Sequence, residues 1–101
     1  MIVYNITNKI DPAIEVAWIK WQKEEHIPEI MSSKQFTDYK FYKLLDQDET
    51  EGITYIIQYF AKDIQHYNKY IESFADGLRK KANNKWGNQF IAFRTIMQIV
   101  D

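Results

Sequence analysis

His26 is the side chain in this sequence best placed to move a proton. It stands two residues before Pro28 and follows Trp18 and Trp21. An imidazole changes charge near neutral pH, so it can act as a general acid or base. A histidine at a helix C-terminus also suits the helix dipole with no catalytic duty, and both roles stay open. Arg94 sits within the apolar run Phe90–Val100. Its planar fork can hold a carboxylate or an enolate-like oxygen, or form an ion pair across an oligomer seam. Asn5 and Gln58 can add neutral hydrogen bonds beside it, and Trp21 and Tyr39 can line a pocket. Tyr42, Tyr55 and Tyr59 can donate to a substrate oxygen, although a satisfied core tyrosine explains them as well. His66 reads as exposed, and Asp63 reads as a helix cap before it reads as a catalyst.

Several chemistries are excluded. The chain has no cysteine, which removes disulfides, thiolate catalysis and cysteine–metal sites. Its two histidines lie far apart, a weak basis for a metal centre. No serine triad, glycine-rich phosphate loop or glycosidase carboxylate pair is present, and no cofactor is implied. The acidic run Asp46–Glu51 lacks the ligand spacing of a calcium loop. A formal net charge of -1 with scattered lysines argues against a nucleic-acid partner. No apolar run reaches membrane-spanning length, and no basic-then-apolar leader opens the chain, so cytoplasm is the expected address.

The elements that must position these groups follow from periodicity. The 101 residues suit one domain, 1–101, and 46% apolar content is enough for a core. Aromatic residues make up 16%, a surplus that a core, a pocket or an oligomer seam can absorb. Ile2–Thr7 reads as a strand. Asp11–Pro12 is a helix start, and Ile14, Ala17, Trp18 and Trp21 form the buried stripe of a helix that ends near His26, before Pro28. Phe36–Leu45 is a second strand, followed by a polar hairpin loop to Gly52. Ile53–Phe60 is β-branched and aromatic on both faces, which marks a central strand. Asp63 then caps a long helix with Ile64, Tyr67, Tyr70, Ile71, Phe74, Leu78 and Ala82 as its stripe. Phe90–Val100 is the last strand.

The order βαββαβ is the split βαβ pattern, with the first and third strands central and both helices on one face of a four-stranded antiparallel sheet. The other face is expected to carry Asn5, Gln58, Arg94 and Gln98 among Val3, Ile56, Phe60, Ala92 and Ile96. Those apolar groups lack a second layer, so a homodimer through the sheet face is expected to supply one.

The segments Met1–Thr7, Trp18–Glu29 and Phe90–Thr95 resemble a small bacterial family, found mostly in Bacteroidetes and known as a domain of unknown function. More distantly the chain resembles the dimeric α+β barrels, ferredoxin-like domains that pair sheet against sheet. That resemblance implies homodimerisation. It also brings candidate activities, because the superfamily includes small monooxygenases acting on aromatic or quinone-like substrates, muconolactone isomerases and heme-degrading enzymes. Some of these use a histidine near the end of the first helix, which adds weight to His26. The readings to be weighed are therefore an uncharacterised dimer binding a small hydrophobic ligand and a cofactor-independent monooxygenase or isomerase. RNA-recognition domains share this element order, but here Glu51 stands before Gly52 where a basic residue would be wanted, and Asn5 stands where an aromatic would be.

Overall fold

The computed structural model describes residues 1–101. Four strands, β1 (Ile2–Ile10), β2 (Asp38–Lys43), β3 (Ile53–Ala61) and β4 (Phe90–Gln98), form an antiparallel sheet in the order β2-β3-β1-β4. β1 and β3 are central, as right-handed crossovers require. Two helical arms cover one face. The molecule is only 19 Å across its shortest axis, the depth of two layers. This is the ferredoxin-like α+β fold.

Ile53, Tyr55, Ile57 and Tyr59 of β3 face the arms and are buried, together with Tyr4, Ile6 and Ile10 of β1. Trp18 is fully buried, with its ring 5.5 Å from Tyr55 and 5.9 Å from Phe41. Tyr4, Phe36, Tyr59 and Tyr70 form a second aromatic cluster at the other end of the sheet. Both chain-entry caps form: Asp11 accepts from the Ala13 amide at 2.9 Å, and Asp63 accepts from the His66 amide at 3.0 Å.

The first arm does not stop at His26. It runs through a 3₁₀ turn (Pro12–Ile14), α1 (Glu15–Trp21), a π-helical turn (Gln22–His26) and α2 (Ile27–Met31). The Ile27 amide donates to the Gln22 carbonyl, five residues back. Widening the turn ahead of Pro28 relieves the place where a proline ring crowds an α-helix, so the chain continues instead of ending. The second arm repeats the device, with α3 (Ile64–Tyr70), a π-helical turn (Ile71–Ala75) and α4 (Asp76–Trp86). Its extra residue rotates the buried stripe. Tyr70, Ala75, Ala82 and Trp86 face inward and Phe74, expected in the stripe, reaches solvent; Ile64, also expected there, is exposed at the arm's first turn, ahead of the insertion.

The last strand is the other correction. Asn5 pairs with Thr95 and Ile6 with Arg94. Ala92, Arg94, Ile96 and Gln98 therefore lie on the helix side, and Ile91, Phe93, Thr95 and Met97 on the open side, the reverse of the expected alternation. Composition favours burying the more apolar parity, Ile91, Phe93 and Met97, but pairing with β1 turns that parity outward and sets the register instead.

Burial ranks the aromatic positions. Trp18→Ala should lower the unfolding free energy by about 3–5 kcal/mol, whereas Phe74→Ala should cost less than about 1 kcal/mol. Guanidinium titration followed by far-UV circular dichroism checks the contrast, and equal losses would contradict the rotated stripe.

Candidate functional site

A small cavity of about 30 Å³ lies between the sheet and the arms. Its floor is Ile6 and Asn8 of β1, Ile57 and Tyr59 of β3, and Phe90 and Arg94 of β4. Trp21, Gln22 and His26 come from the first arm, and Arg79 and Ala82 from the second. The π-helical turn is what brings the first three together. Residues five apart stack across such a wide turn, and the Trp21 and His26 rings lie 4.5 Å apart and 19° from parallel. Trp86 closes on Trp21 edge-on at 5.8 Å, and Lys81 of α4 donates to Glu29 of α2 at 2.7 Å, so the arms hold each other above the cavity.

Four buried polar atoms on residues around this cavity have no hydrogen-bond partner: Gln22 Oε1, His26 Nδ1, Tyr59 OH and Arg79 Nε. Buried polar groups are ordinarily paired, and each one left unpaired costs about 1–3 kcal/mol. Arg79 does donate through Nη2 to Tyr4 OH at 2.9 Å, and the Asn8 amide makes one long contact, 3.4 Å, to the Ile6 carbonyl. Burial lowers the His26 pKa to about 4; Arg94 and Lys81 add to the shift, and Glu29 opposes it. His26 is therefore a neutral imidazole at neutral pH. Burial, with Tyr70, Tyr4 and Tyr39 nearby, pushes the Tyr59 phenol well up, so it keeps its proton and remains a donor.

A larger hollow of about 420 Å³ opens at one end of the sheet among Lys9, Asp11, Thr50, Glu51, Asn88 and Gln89. None of the unpartnered buried atoms belongs to its lining. On the chemistry, the smaller cavity is the candidate site.

The structure separates the residues expected to act together. His26, Arg94 and Trp21 share the cavity. Asn5 and Gln58 lie on the opposite face of the sheet, where Gln58 donates to Asn5 at 3.2 Å and Asn5 to Thr7 at 3.3 Å. Tyr39 stands on edge strand β2, 41% exposed and outside the cavity lining. Sequence reasoning passed over Asn8, Gln22 and Arg79. Arg79 carries the one available signal, an arginine on the second arm in a chain with only two arginines. Asp63 and His66 form a half-buried pair at 2.6 Å, and Tyr55 donates to Glu15 at 2.7 Å. Both contacts belong to the scaffold.

A four-stranded ferredoxin-like sheet with two helical arms and an inter-layer cavity defines the structural class. Within it, residues 1–100 match the domain of unknown function DUF4286, and the chain belongs to that family. No curated protein sequence matches it. Solved structures share the fold. An EthD family protein from Bacillus halodurans superposes with a TM-score of 0.68 at 15% identity, over 99% of this chain and 100% of that one. A dimeric ferredoxin-like protein from an uncultured marine organism gives 0.67 at 10% identity, over 99% and 96%. SnoaB, a cofactor-independent oxygenase from Streptomyces nogalater, gives 0.62 at 9% identity, over 99% and 94%. At these identities the likeness is one of fold. No helix is long and apolar enough to cross a membrane.

The depressed His26 pKa has a consequence for stability. Between the unfolded value of 6.5 and the folded value of about 4, the unfolded chain binds a proton that the folded chain refuses. Stability from this group is therefore present above pH 6.5 and is lost as the pH falls toward about 4. One proton limits the slope to about 1.4 kcal/mol per pH unit. Subtracting the stability profile of His26→Gln from that of the wild type should isolate this slope. A flat difference across the window would show that His26 titrates normally.

Proposed function

We propose that this protein is a homodimer, joined through the open face of its sheet, that binds a small ligand in the cavity around His26. The observation that carries the binding site is the set of four unpartnered polar atoms around one small space. A ligand head group that pairs with them offsets their desolvation, a stabilisation that an apolar filling cannot supply. The volume, about 30 Å³, admits two or three heavy atoms and not an aromatic ring. The ligand therefore places a polar head inside, while an apolar body rests outside, on the solvent side of Arg94.

Pairing is supported by the open face. Ile91, Phe93 and Met97 are 57%, 61% and 41% exposed there, on the same face as Ile56 and Phe60 of β3 across β1. The Gln58–Asn5–Thr7 chain crosses this field already hydrogen-bonded, so it can be covered without leaving polar groups bare. Edge strand β2 carries Asp38, Lys40 and Lys43, which discourage strand addition; β4, nine residues long, has a single charge. One structural neighbour is itself described as dimeric.

A second reading is favoured by the neutral state of His26 beside Arg94. In that reading the imidazole takes a proton from the carbon of an enolisable substrate, and the guanidinium faces the oxygen on which negative charge develops. The similarity to a cofactor-independent oxygenase is consistent with such chemistry. His26-dependent exchange of substrate deuterons into water separates this reading from simple binding.

Two outcomes are expected. Light scattering should give twice the chain mass of 12.2 kDa for the wild type and the single mass for Phe93→Glu; a monomeric wild type at micromolar concentration would remove the pairing. A fragment screen by heteronuclear NMR should yield saturable shifts centred on Trp21 and His26. Shifts confined to other surfaces, or none, would remove the binding site.

A further inference from the structure

We propose that the head group entering this cavity is a carboxylate, held between Arg94 and Arg79. The inference rests on the ligand-binding reading above and specifies its chemistry. The chain has only two arginines, and both line this one cavity. Neither lies within 4.0 Å of a carboxylate, whereas Lys43, Lys80 and Lys81 all have acidic partners. No aspartate or glutamate belongs to the cavity lining. Two guanidinium charges therefore converge on a partly dehydrated space with no counter-charge in its wall. Attraction for an anion is stronger there than on open surface.

The donor inventory agrees. Arg79 Nε is buried with no acceptor, and the Tyr59 hydroxyl is fully buried with none. Arg94 reaches the same space from the solvent side. A neutral imidazole adds one N–H and one acceptor nitrogen. The remaining unpartnered atom, Gln22 Oε1, belongs to an amide that presents its NH₂ instead when turned over. Donors thus outnumber acceptors, which is the complement of a group that only accepts. Size selects within the anions. A space of about 30 Å³ takes the three heavy atoms of a carboxylate more readily than the five of a phosphate or sulfate. The planar guanidinium of Arg94 matches that shape bidentately.

Binding would also alter His26. A negative charge placed among Arg94, Arg79 and the imidazole opposes the burial and the cationic neighbours that depress its proton affinity, so the His26 titration should move upward when the site fills.

The test uses the full chain and one isosteric pair of probes, phenylacetate and the uncharged phenylacetamide. Histidine ring resonances are followed by NMR across pH with each probe. Phenylacetate should bind saturably, raise the His26 pKa, and bind at least tenfold more weakly to Arg94→Gln. Arg94 is solvent-exposed, so that variant should keep the fold; Arg79→Gln, half-buried, provides a second comparison. Equal binding of phenylacetamide, or unchanged phenylacetate affinity in Arg94→Gln, would overturn the carboxylate. In either case binding at Trp21 and His26 would leave the ligand site standing. Failure of both probes and of the neutral fragment screen at these residues would overturn the carboxylate and the site together.

Discussion

Desolvation between one sheet and one layer of helices is the constraint on which this structure turns. Two arms cover the helix side of β1 and β3 and bury half of the chain's aromatic residues there. The same enclosure buries one polar atom each of Gln22, His26, Tyr59 and Arg79 without a protein partner. A chain able to pack Trp18 with no exposed surface could also fill this space with aliphatic groups. That it instead holds two arginines, a histidine and two amides at the cavity is the reason for reading the space as a site and not as a packing defect.

The architecture was legible in the sequence because it rests on period and on punctuation. Alternation across Ile53–Phe60, the Asp11–Pro12 and Asp63 starts, and the polar loop before Gly52 each act locally, and the structure places the corresponding elements there. Two departures from expectation, at β4 and in the second arm, share one cause, a shift of a single residue. The more apolar parity of strand β4 faces away from the helices, so its register follows pairing with β1 and not its own composition. In the second arm, the π-helical turn at Ile71–Ala75 inserts one residue and moves burial from Phe74 to Ala75. Hydrophobic spacing assumes a constant turn and cannot register such an insertion.

The site was half legible for the same reason. His26 and Arg94 stood out by type, since each is rare here and chemically versatile. Arg94 was nevertheless placed on the open face with Asn5 and Gln58, and the inverted register separates it from them and joins it to His26. Proline drew the end of the first helix too early, which hid how Trp21, Gln22 and His26 come to share one wall. Asn8 and Gln22 gave no local sign, and Arg79 only its rarity, because the cavity they line is assembled across layers, a property of tertiary packing.

The sheet links the cavity to the proposed dimer face, because successive residues of a strand point to opposite sides. Asn5 and Gln58 lie on the open side, while Ile6 and Ile57, their next neighbours along the strands, form part of the cavity floor. Phe93 and Arg94 divide in the same way on β4. A partner covering Phe93 and the Asn5–Gln58 bond would restrain the backbone on which Ile6, Ile57 and Arg94 are mounted. β4 depends on this most, since it is an edge strand with β1 as its only neighbour in the chain. Arg94, half of the proposed carboxylate clamp, is carried by that strand. A lone subunit would present this guanidinium from a fraying edge, whereas a paired one would hold it in place, and an anion site gains affinity from being held before its ligand arrives. In the proposed assembly, pairing and binding would be two uses of one layer: the face turned away from the helices would supply the rigidity that the face beneath them requires.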